Sequence, residues 1–125
     1  MIEINNLTKF KINKKSFSQV AKIVLSGENR ETESLSLAFV SKVEIKKLNQ
    51  KFRKKNKPTD VLSFEEINEV VICPEVVKEK NEDIKKVFVH GVLHLLGYDH
   101  EKSEKDAELM EKKEEIYLEQ IYAKR

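Results

Sequence analysis

The sequence predicts one layered domain of the α/β or α+β class, with a small four-stranded mixed sheet and about five helices. Two observations predict it: short stretches alternate apolar and polar residues, and the segments between them place apolar residues at helical spacing. The resulting order, β-α-β-α-β-β-α-α, is typical of a layered domain. A chain of 125 residues suits one modest core, so residues 1–125 are expected to form a single domain.

The first strand is predicted at the N-terminus, where Ile2 and Ile4 alternate with polar residues. A helix is predicted from Ser16 to Gly27. Ser16 and Gln19 have the spacing of a capping box, and an apolar stripe follows them.

A second strand and a second helix come next. Apolar residues alternate with small ones over residues 35–39, which predicts the strand. Ser41 and Glu44 form a second capping box and start the helix. The residues expected to face inward from this helix are Ile45, Leu48 and Phe52.

The middle of the chain is predicted to form a hairpin. Pro58 interrupts the chain, and two strands are predicted after it, from Val61 to Phe64 and from Val70 to Cys73, joined across residues 65–69. Pro74 then starts a short helical turn.

The last two helices complete the prediction. Residues 82–96 are expected to form a buried, zinc-binding helix, because the stretch from Ile84 to Leu96 is strongly apolar. Asn81 is expected to cap it, and the acids Glu82 and Asp83 suit the positive end of the helix dipole. The final helix begins near Ser103. Its apolar face is predicted to carry Leu109, Met110, Ile116, Tyr117 and Ile121.

All three histidines fall within eleven residues, in the run H-G-V-L-H-L-L-G-Y-D-H. His90 and His94 are one helical turn apart, so both imidazoles can reach one metal ion. Gly97 can adopt the left-handed conformation that ends a helix, and the turn would bring His100 back as a third ligand. Three protein ligands with an open fourth position are typical of a catalytic zinc site.

Two other interpretations of the histidines stay open. They could be two packed core histidines and one surface histidine. They could also belong to a closed structural zinc site, which would need a fourth ligand such as Cys73 or Asp99.

Gly91 separates this pattern from a protease. The spacing H-x3-H-x2-G-x2-H is that of the zinc-protease motif H-E-x-x-H-x-x-G-x-x-H, but Gly91 stands where the protease has its glutamate. Without that carboxylate the peptidase mechanism has no proton acceptor. Gly91 could also allow close approach beside the metal, or tight packing.

Positive charge is concentrated in one segment. Seven cations and no acid lie between residues 46 and 57, although the net charge of the chain is only +2. Such a segment indicates a polyanionic partner or, alternatively, a solvated helix face. The cations are Lys46, Lys47, Lys51, Arg53, Lys54, Lys55 and Lys57.

A second group of polar residues follows on the same segment. Asn49 and Arg53 share one helix face, and Arg53 can donate two hydrogen bonds to one phosphate. Thr59 and Asp60 after Pro58 are, on their own, better explained as a simple turn before a strand than as part of a site.

Composition excludes several classes. Hydrophobic residues make up 39% and charged residues 37%, which is typical of a soluble globular protein and not of a disordered one. Cys73 is the only cysteine, so no internal disulfide forms. No segment approaches the length of a signal peptide or a membrane span, so a cytoplasmic location without membrane partners is expected.

Two motifs together resemble those of the YbeY family of zinc-dependent, single-strand-specific endoribonucleases. They are N-x3-R-x4-P-T-D-V-L-S-F and H-G-x-L-H-L-x-G-Y-D-H. The resemblance implies one Zn²⁺ per chain held by His90, His94 and His100, with Arg53 binding phosphate, and assigns catalysis to these four residues. It also implies a small α/β metallohydrolase domain acting in ribosomal RNA maturation and ribosome quality control. The family usually has a G-D-I-type strand start where this chain has Asn68 and Glu69, so the substrate cleft is expected to differ in shape.

The expected partners are single-stranded RNA, including ribosomal RNA, and ribosomal subunit proteins. Bound zinc would supply hydroxide at neutral pH, which could attack a phosphodiester or deprotonate a ribose 2′-hydroxyl. Asp60 could orient a zinc-binding histidine. The lysines expected to hold the RNA backbone are Lys51, Lys54, Lys55 and Lys57. The aromatic residues that could stack on unpaired bases, or belong to the core, are Phe52, Phe64 and Tyr98.

Three functions therefore follow from the sequence. The first is a zinc-dependent endoribonuclease, which the arginine segment and the resemblance favour. The second is a zinc peptidase or related hydrolase, which Gly91 disfavours. The third is a non-catalytic, zinc-stabilised protein associated with the ribosome. The oligomeric state is left open.

Overall fold

The computed structural model of the protein describes residues 1–123. Four strands and five α-helices follow one another in the predicted order, with a short 3₁₀ turn between the two strands of the hairpin. The elements are β1 (Ile2–Asn6), α1 (Lys14–Gly27), β2 (Leu35–Phe39), α2 (Lys42–Arg53), β3 (Val61–Phe64), the turn (Glu65–Ile67), β4 (Glu69–Ile72), α3 (Pro74–Glu79), α4 (Ile84–Leu95) and α5 (Glu104–Ala123).

The strands form one mixed sheet in the order β1-β2-β4-β3. β1 and β4 each pair with β2 in parallel, and β3 pairs with β4 in antiparallel orientation as the predicted hairpin. Leu37 lies opposite Val70 in the parallel register, and Leu62 lies opposite Val71 in the hairpin. The predicted four-stranded mixed sheet is therefore confirmed.

One face of the sheet carries the larger part of the core. Leu37, Phe39 and Val70 point to this face and are fully buried against helices α1 and α4. Phe17 of α1 packs edge to face on Phe39 and on Phe88 of α4, with ring centroids 5.1 and 5.7 Å apart. α4 contacts β3 and β4, and α5 packs against both α1 and α4. The histidine helix is thus held on three sides.

The other face carries a smaller core under α2. Ala38 and Val71 alternate with the residues of the first face and pack here, as expected for central strands buried on both faces. Ile45 of α2, Val76 of α3 and the buried Cys73 complete this cluster. Cys73 therefore lies in the second core and not in the cluster that contains α4.

Several predicted boundaries were wrong by a few residues because a different side chain supplies the cap. Asn13, and not Ser16, caps α1 by accepting from the Ser16 amide. Asp83, and not Asn81, caps α4 by accepting from the Lys85 amide. Asn81 instead adopts the left-handed conformation, with a φ of 55°, in the turn that follows α3. The zinc-binding helix expected at residues 82–96 is therefore shorter at both ends.

Some residues predicted to face inward are exposed. Phe52 is 55% exposed at the end of α2, and Leu109 and Ile116 are each 48% exposed on α5. Met110 and Tyr117 do face the core. The described helices include none that is both long and apolar enough to span a membrane.

Candidate metal centre

The three histidine rings face one another in a nearly equilateral triangle. Ring centroids lie 4.9 Å apart for His90 and His94, and 5.2 Å apart for each pair that includes His100. One nitrogen from each ring lies within 4.8 Å of the other two. The structure thus brings together the three side chains that the sequence singled out.

The end of α4 explains how His100 returns to the other two histidines. Gly97 has a φ of 105°, in the left-handed region. The amide of Tyr98 donates to the carbonyl of Leu93 at 3.1 Å, and the amide of Gly97 donates to that of His94 at 3.1 Å. This pair of bonds is the Schellman arrangement that closes a helix. The turn reverses the chain, as predicted from the glycine.

The turn is held against the rest of the molecule by a half-buried acid. The Tyr98 hydroxyl donates to Glu28 at 2.7 Å, and the Tyr117 hydroxyl donates to the other oxygen of the same carboxylate. Lys113 lies 3.3 Å from that second oxygen. Burial alone would raise the pKa of Glu28, but the hydrogen bonds from Tyr117, Tyr98 and Lys113 outweigh it and leave that pKa lowered.

His90 has a carboxylate partner that the sequence did not reveal. Its Nδ1 lies 2.6 Å from Oε2 of Glu114, which comes from the middle of α5 and is only 8% exposed. α5 carries many exposed acids, and no motif distinguishes Glu114 from them. Its helical phase with Met110 and Tyr117, which are buried, is the one clue that the sequence offers.

The state of His94 suits a metal ligand. Burial lowers the pKa of His94, and the neighbouring rings of His90 and His100 lower it further. Arg53 also lies close enough to add a smaller lowering, while Asp99 acts in the opposite direction. His94 is therefore neutral at neutral pH, which is the form that binds metals.

The spacing of the nitrogens fits a zinc ion. His94 Nε2 and His100 Nδ1 lie 3.3 Å apart. A tetrahedral zinc with nitrogen ligands at about 2.0–2.1 Å separates two of those nitrogens by about 3.3–3.4 Å. His90, His94 and His100 could therefore hold one ion with a fourth position left open.

Neither of the two candidates for a fourth ligand joins the group. Within residues 1–123 the metal-ligating cluster contains the three histidines alone. Cys73 is buried in the second core, and Asp99 accepts from the amide of Glu101 at 2.9 Å. The closed structural zinc site is thus not formed by either residue.

Gly91 packs against the sheet. A Cβ atom added there would lie 2.8 Å from Val70 Cγ1 and 3.2 Å from Val61 Cγ2. The Ser63 hydroxyl also donates to the Gly91 carbonyl at 2.9 Å. Of the two explanations for this glycine, close packing is the one observed. A glutamate at this position would need space that the sheet occupies.

Arg53 lies at the end of α2 and lines a cationic cleft of about 360 Å³. Lys55, Lys57 and Lys80 contribute to the same cleft, and no acid among residues 1–123 lines it. Lys51 and Lys54 lie outside its lining, and Lys51 sits 5.3 Å above the Phe52 ring. The cleft can hold a polyanion, and Arg53 is close enough to His94 to lower the pKa of that histidine.

Asn49 supports the cleft from beneath. It is only 2% exposed, and its amide donates to the carbonyl of Lys57 at 2.8 Å. The backbone carbonyl of Asn49 also accepts from the backbone amide of Lys55 at 3.3 Å. Lys54, the residue just before Lys55, has the left-handed conformation with a φ of 58°. Asn49 thus holds the lysine loop, and Arg53 alone of this pair is exposed.

Asp60 lines a second cavity of about 510 Å³, together with Glu82, His90 and Glu114. Its carboxylate accepts from the Thr59 hydroxyl at 3.3 Å and lies 3.8 Å from Lys80. Partial burial and then the neighbouring Asp60 raise the pKa of Glu82 to about 7. The role of Asp60 in orienting a histidine stays a prediction, since the carboxylate in contact with His90 is Glu114.

Curated relatives are similar to most of this chain. One is "Endoribonuclease YbeY" of Thermotoga neapolitana, 42% identical over 99 residues, which are 70% of this chain and 66% of that protein. Another is "Endoribonuclease YbeY" of Aquifex aeolicus, 38% identical over 113 residues, which are 77% of this chain and 75% of that protein. The matched part thus spans about two thirds to three quarters of these relatives.

A solved structure has the same fold. The solution structure of a Thermotoga maritima protein covers 98% of this chain with a TM-score of 0.66 and 33% identity, and the match includes 90% of that protein. The family model described as "Endoribonuclease YbeY" matches residues 3–122. Because this model matches nearly the whole chain, the protein belongs to the YbeY family.

Proposed function

We propose that this protein is a zinc-dependent hydrolase that cuts single-stranded RNA internally, and that it acts in ribosomal RNA maturation and ribosome quality control in the cytoplasm. The observation that carries the proposal is the cluster of three histidines, together with Arg53 of the cationic cleft, which lies close enough to lower the pKa of His94. The relatives' name, endoribonuclease, supports the same reaction class.

The metal ligands would be His90, His94 and His100. Zinc held by three neutral imidazoles lowers the pKa of its water to about 7 and so supplies a nucleophile at neutral pH. The chain itself supplies the geometry. The Gly97 turn places His100, and the Glu28 network fixes that turn.

Arg53 would bind the scissile phosphate and stabilise the negative charge that grows on it during attack. Its planar guanidinium can donate two hydrogen bonds to one phosphate. Lys55 and Lys57 would hold the backbone beside it, and Lys51 and Lys54 would do so from the outer side of α2. Binding should therefore weaken steeply as salt concentration rises.

Phe52 supports a preference for single strands. Its ring is 55% exposed and stands edge to face on Phe64, with centroids 5.2 Å apart. An exposed aromatic ring among cations can stack on an unpaired base. A duplex keeps its bases stacked internally and cannot use this contact.

A cleavage assay tests the proposal. Purified protein is incubated with labelled unstructured RNA, labelled duplex RNA and casein, each with and without a chelator. We expect cleavage of the single strand alone, and loss of that cleavage with the chelator. Digestion of casein would support a peptidase instead.

Variants identify the residues responsible. Arg53→Ala should lower RNA cleavage at least about 100-fold, the scale of losing one transition-state donor, with zinc content intact. The matched control is Arg30→Ala, which removes another exposed arginine that pairs with Glu33. Unchanged cleavage by Arg53→Ala would contradict its assigned role.

A further inference from the structure

Glu114 is the only buried acid of α5. Two polar or charged residues are buried among residues 1–123, Asn49 and Glu114, and Glu114 is 8% exposed. Burying a carboxylate costs free energy unless it accepts strong hydrogen bonds. The contact that offsets this cost for Glu114 is the one with His90, at 2.6 Å.

The contact determines which nitrogen of His90 can bind a metal. An ionised carboxylate only accepts hydrogen bonds, so the Nδ1 that faces Glu114 must carry the proton. The other nitrogen, Nε2, then keeps its lone pair free. A ring held in this way has one orientation and one tautomer before any metal arrives.

The other two histidines are held differently. His94 Nε2 and His100 Nδ1 face each other at 3.3 Å, and neither ring has a carboxylate contact comparable to that of His90 within the part of the chain described. His100 also lies on an exposed turn, whereas His90 sits on the buried helix α4. His90 is therefore the ligand whose orientation is fixed from outside the histidine motif.

We propose that Glu114 is a positioning residue for the metal centre: it holds His90 with Nδ1 protonated and Nε2 available to the metal. The inference rests on the proposed zinc site and deepens it. It also links α5 to the site, because a contact across 24 residues of sequence then sets the geometry of a ligand on α4.

Loss of this kind of carboxylate partner typically weakens metal binding 10–100-fold. Zinc affinity is measured by competition with a coloured chelator for the wild type, Glu114→Ala, Glu114→Gln and Glu115→Gln. We expect about 10–100-fold weaker binding for Glu114→Ala and a smaller loss for Glu114→Gln, whose amide oxygen still accepts from Nδ1. Glu115→Gln, an exposed neighbour on the same helix, should match the wild type.

A second readout separates positioning from stability. The ¹⁵N shifts of the His90 ring in metal-free protein report which nitrogen carries the proton. We expect Nδ1 to carry it in the wild type and a mixture of both tautomers in Glu114→Ala. If Glu114→Ala does not fold, the zinc affinity and tautomer of Glu114→Gln decide, because that variant keeps the volume of the side chain.

The outcomes distinguish two kinds of failure. If the wild type binds zinc and both Glu114 variants bind it equally well with an unchanged tautomer, the role of Glu114 is overturned while the zinc site stands. If the wild type binds no zinc, the proposed zinc dependence is wrong and the inference falls with it.

Discussion

Gly91 lies between His90 and His94 with its backbone against the sheet. Its carbonyl accepts a hydrogen bond from Ser63, and its missing side chain leaves room for Val70. The position at which a zinc protease has its glutamate is thus the position at which α4 packs closely against β4 in this protein. Packing and chemistry at this residue are linked, because a side chain here disturbs the sheet before it can act on a substrate.

Gly91→Ala should lower the free energy of unfolding by about 1–2 kcal/mol. Overpacking costs about 1–3 kcal/mol, and the better helix propensity of alanine returns up to about 1 kcal/mol. Urea unfolding of chelated protein measures the change. Lys86→Ala, on the exposed side of the same helix, is the control and should change stability by less than about 0.5 kcal/mol. A Gly91→Ala variant as stable as the wild type would contradict the observed close packing.

Glu28 makes stability depend on pH. Its pKa is lowered from the ordinary value of 4.5, so its stabilising contribution is complete above that value and is lost as the pH falls through the lower folded-state pKa. Glu28→Gln should therefore destabilise the chelated protein more at pH 7 than at pH 4. Urea unfolding at both pH values tests this, with Glu108→Gln, an exposed acid of α5, as control. A destabilisation that is equal at both pH values would contradict the lowered pKa.

At this scale the sequence revealed residues whose chemistry is unusual and concealed those whose chemistry is ordinary. The three histidines stand out because there are no others. Glu114 and Glu28 do not, since the chain contains 22 acids and only tertiary packing brings Glu114 to a ring nitrogen and Glu28 to two tyrosine hydroxyls.

α2 joins two tasks in one helix. Its inner side anchors the second core through Ile45, and Asn49 holds the lysine loop that follows. Its C-terminal turn exposes Phe52 and Arg53 to solvent, and Arg53 lies close enough to His94 to lower the pKa of that histidine. A short amphipathic helix thus presents an aromatic ring and a guanidinium in adjacent positions.

Phe52→Leu should weaken binding of unstructured RNA about 5–150-fold, because stacking on an aromatic side chain contributes about 1–3 kcal/mol per base. The dependence of binding on salt should stay unchanged, since no charge is removed. Fluorescence anisotropy measures both quantities. Phe52→Tyr should restore binding, and Val43→Ala, which trims another exposed apolar residue of α2, should not alter it. Equal affinity of Phe52→Leu and the wild type would rule out the stacking role.

The order and type of the elements could be predicted because periodicity reflects burial directly. Their ends could not, because several polar residues near each end compete for the cap: Asn13 displaced Ser16, and Asp83 displaced Asn81. The apolar face predicted for α5 was only partly correct, because Met110 and Tyr117 are buried but Leu109 and Ile116 are exposed. So many residues of this helix are charged that the sequence pattern does not show on which side Leu109 and Ile116 lie.

The molecule keeps its core apart from its metal centre. Two apolar clusters fill both faces of the sheet, whereas His90 and His94 are only half-buried and His100 is exposed. Helix α4 buries apolar residues in the larger core and also carries His90 and His94. On α5 one buried face holds both Met110 and Tyr117, which belong to that core, and Glu114, which contacts His90. The fold is therefore expected to persist without metal, in contrast to a protein that zinc alone stabilises.

The family and the sheet could be predicted from the whole sequence because two motifs occur in the right order along it. The approach of Arg53 to His94 depends on how α2 and α4 pack on opposite faces of one sheet. No local pattern encodes that distance, so the cleft beside the metal centre emerged only from the structure.

The most direct test is RNA cleavage by chelated protein as zinc is added back, with folding followed by circular dichroism. The account predicts that chelated protein is folded and inactive, that cleavage returns as zinc approaches one equivalent per chain, and that His94→Ala stays folded and inactive throughout. Cleavage by folded, metal-free protein, or equal cleavage by His94→Ala, would contradict it.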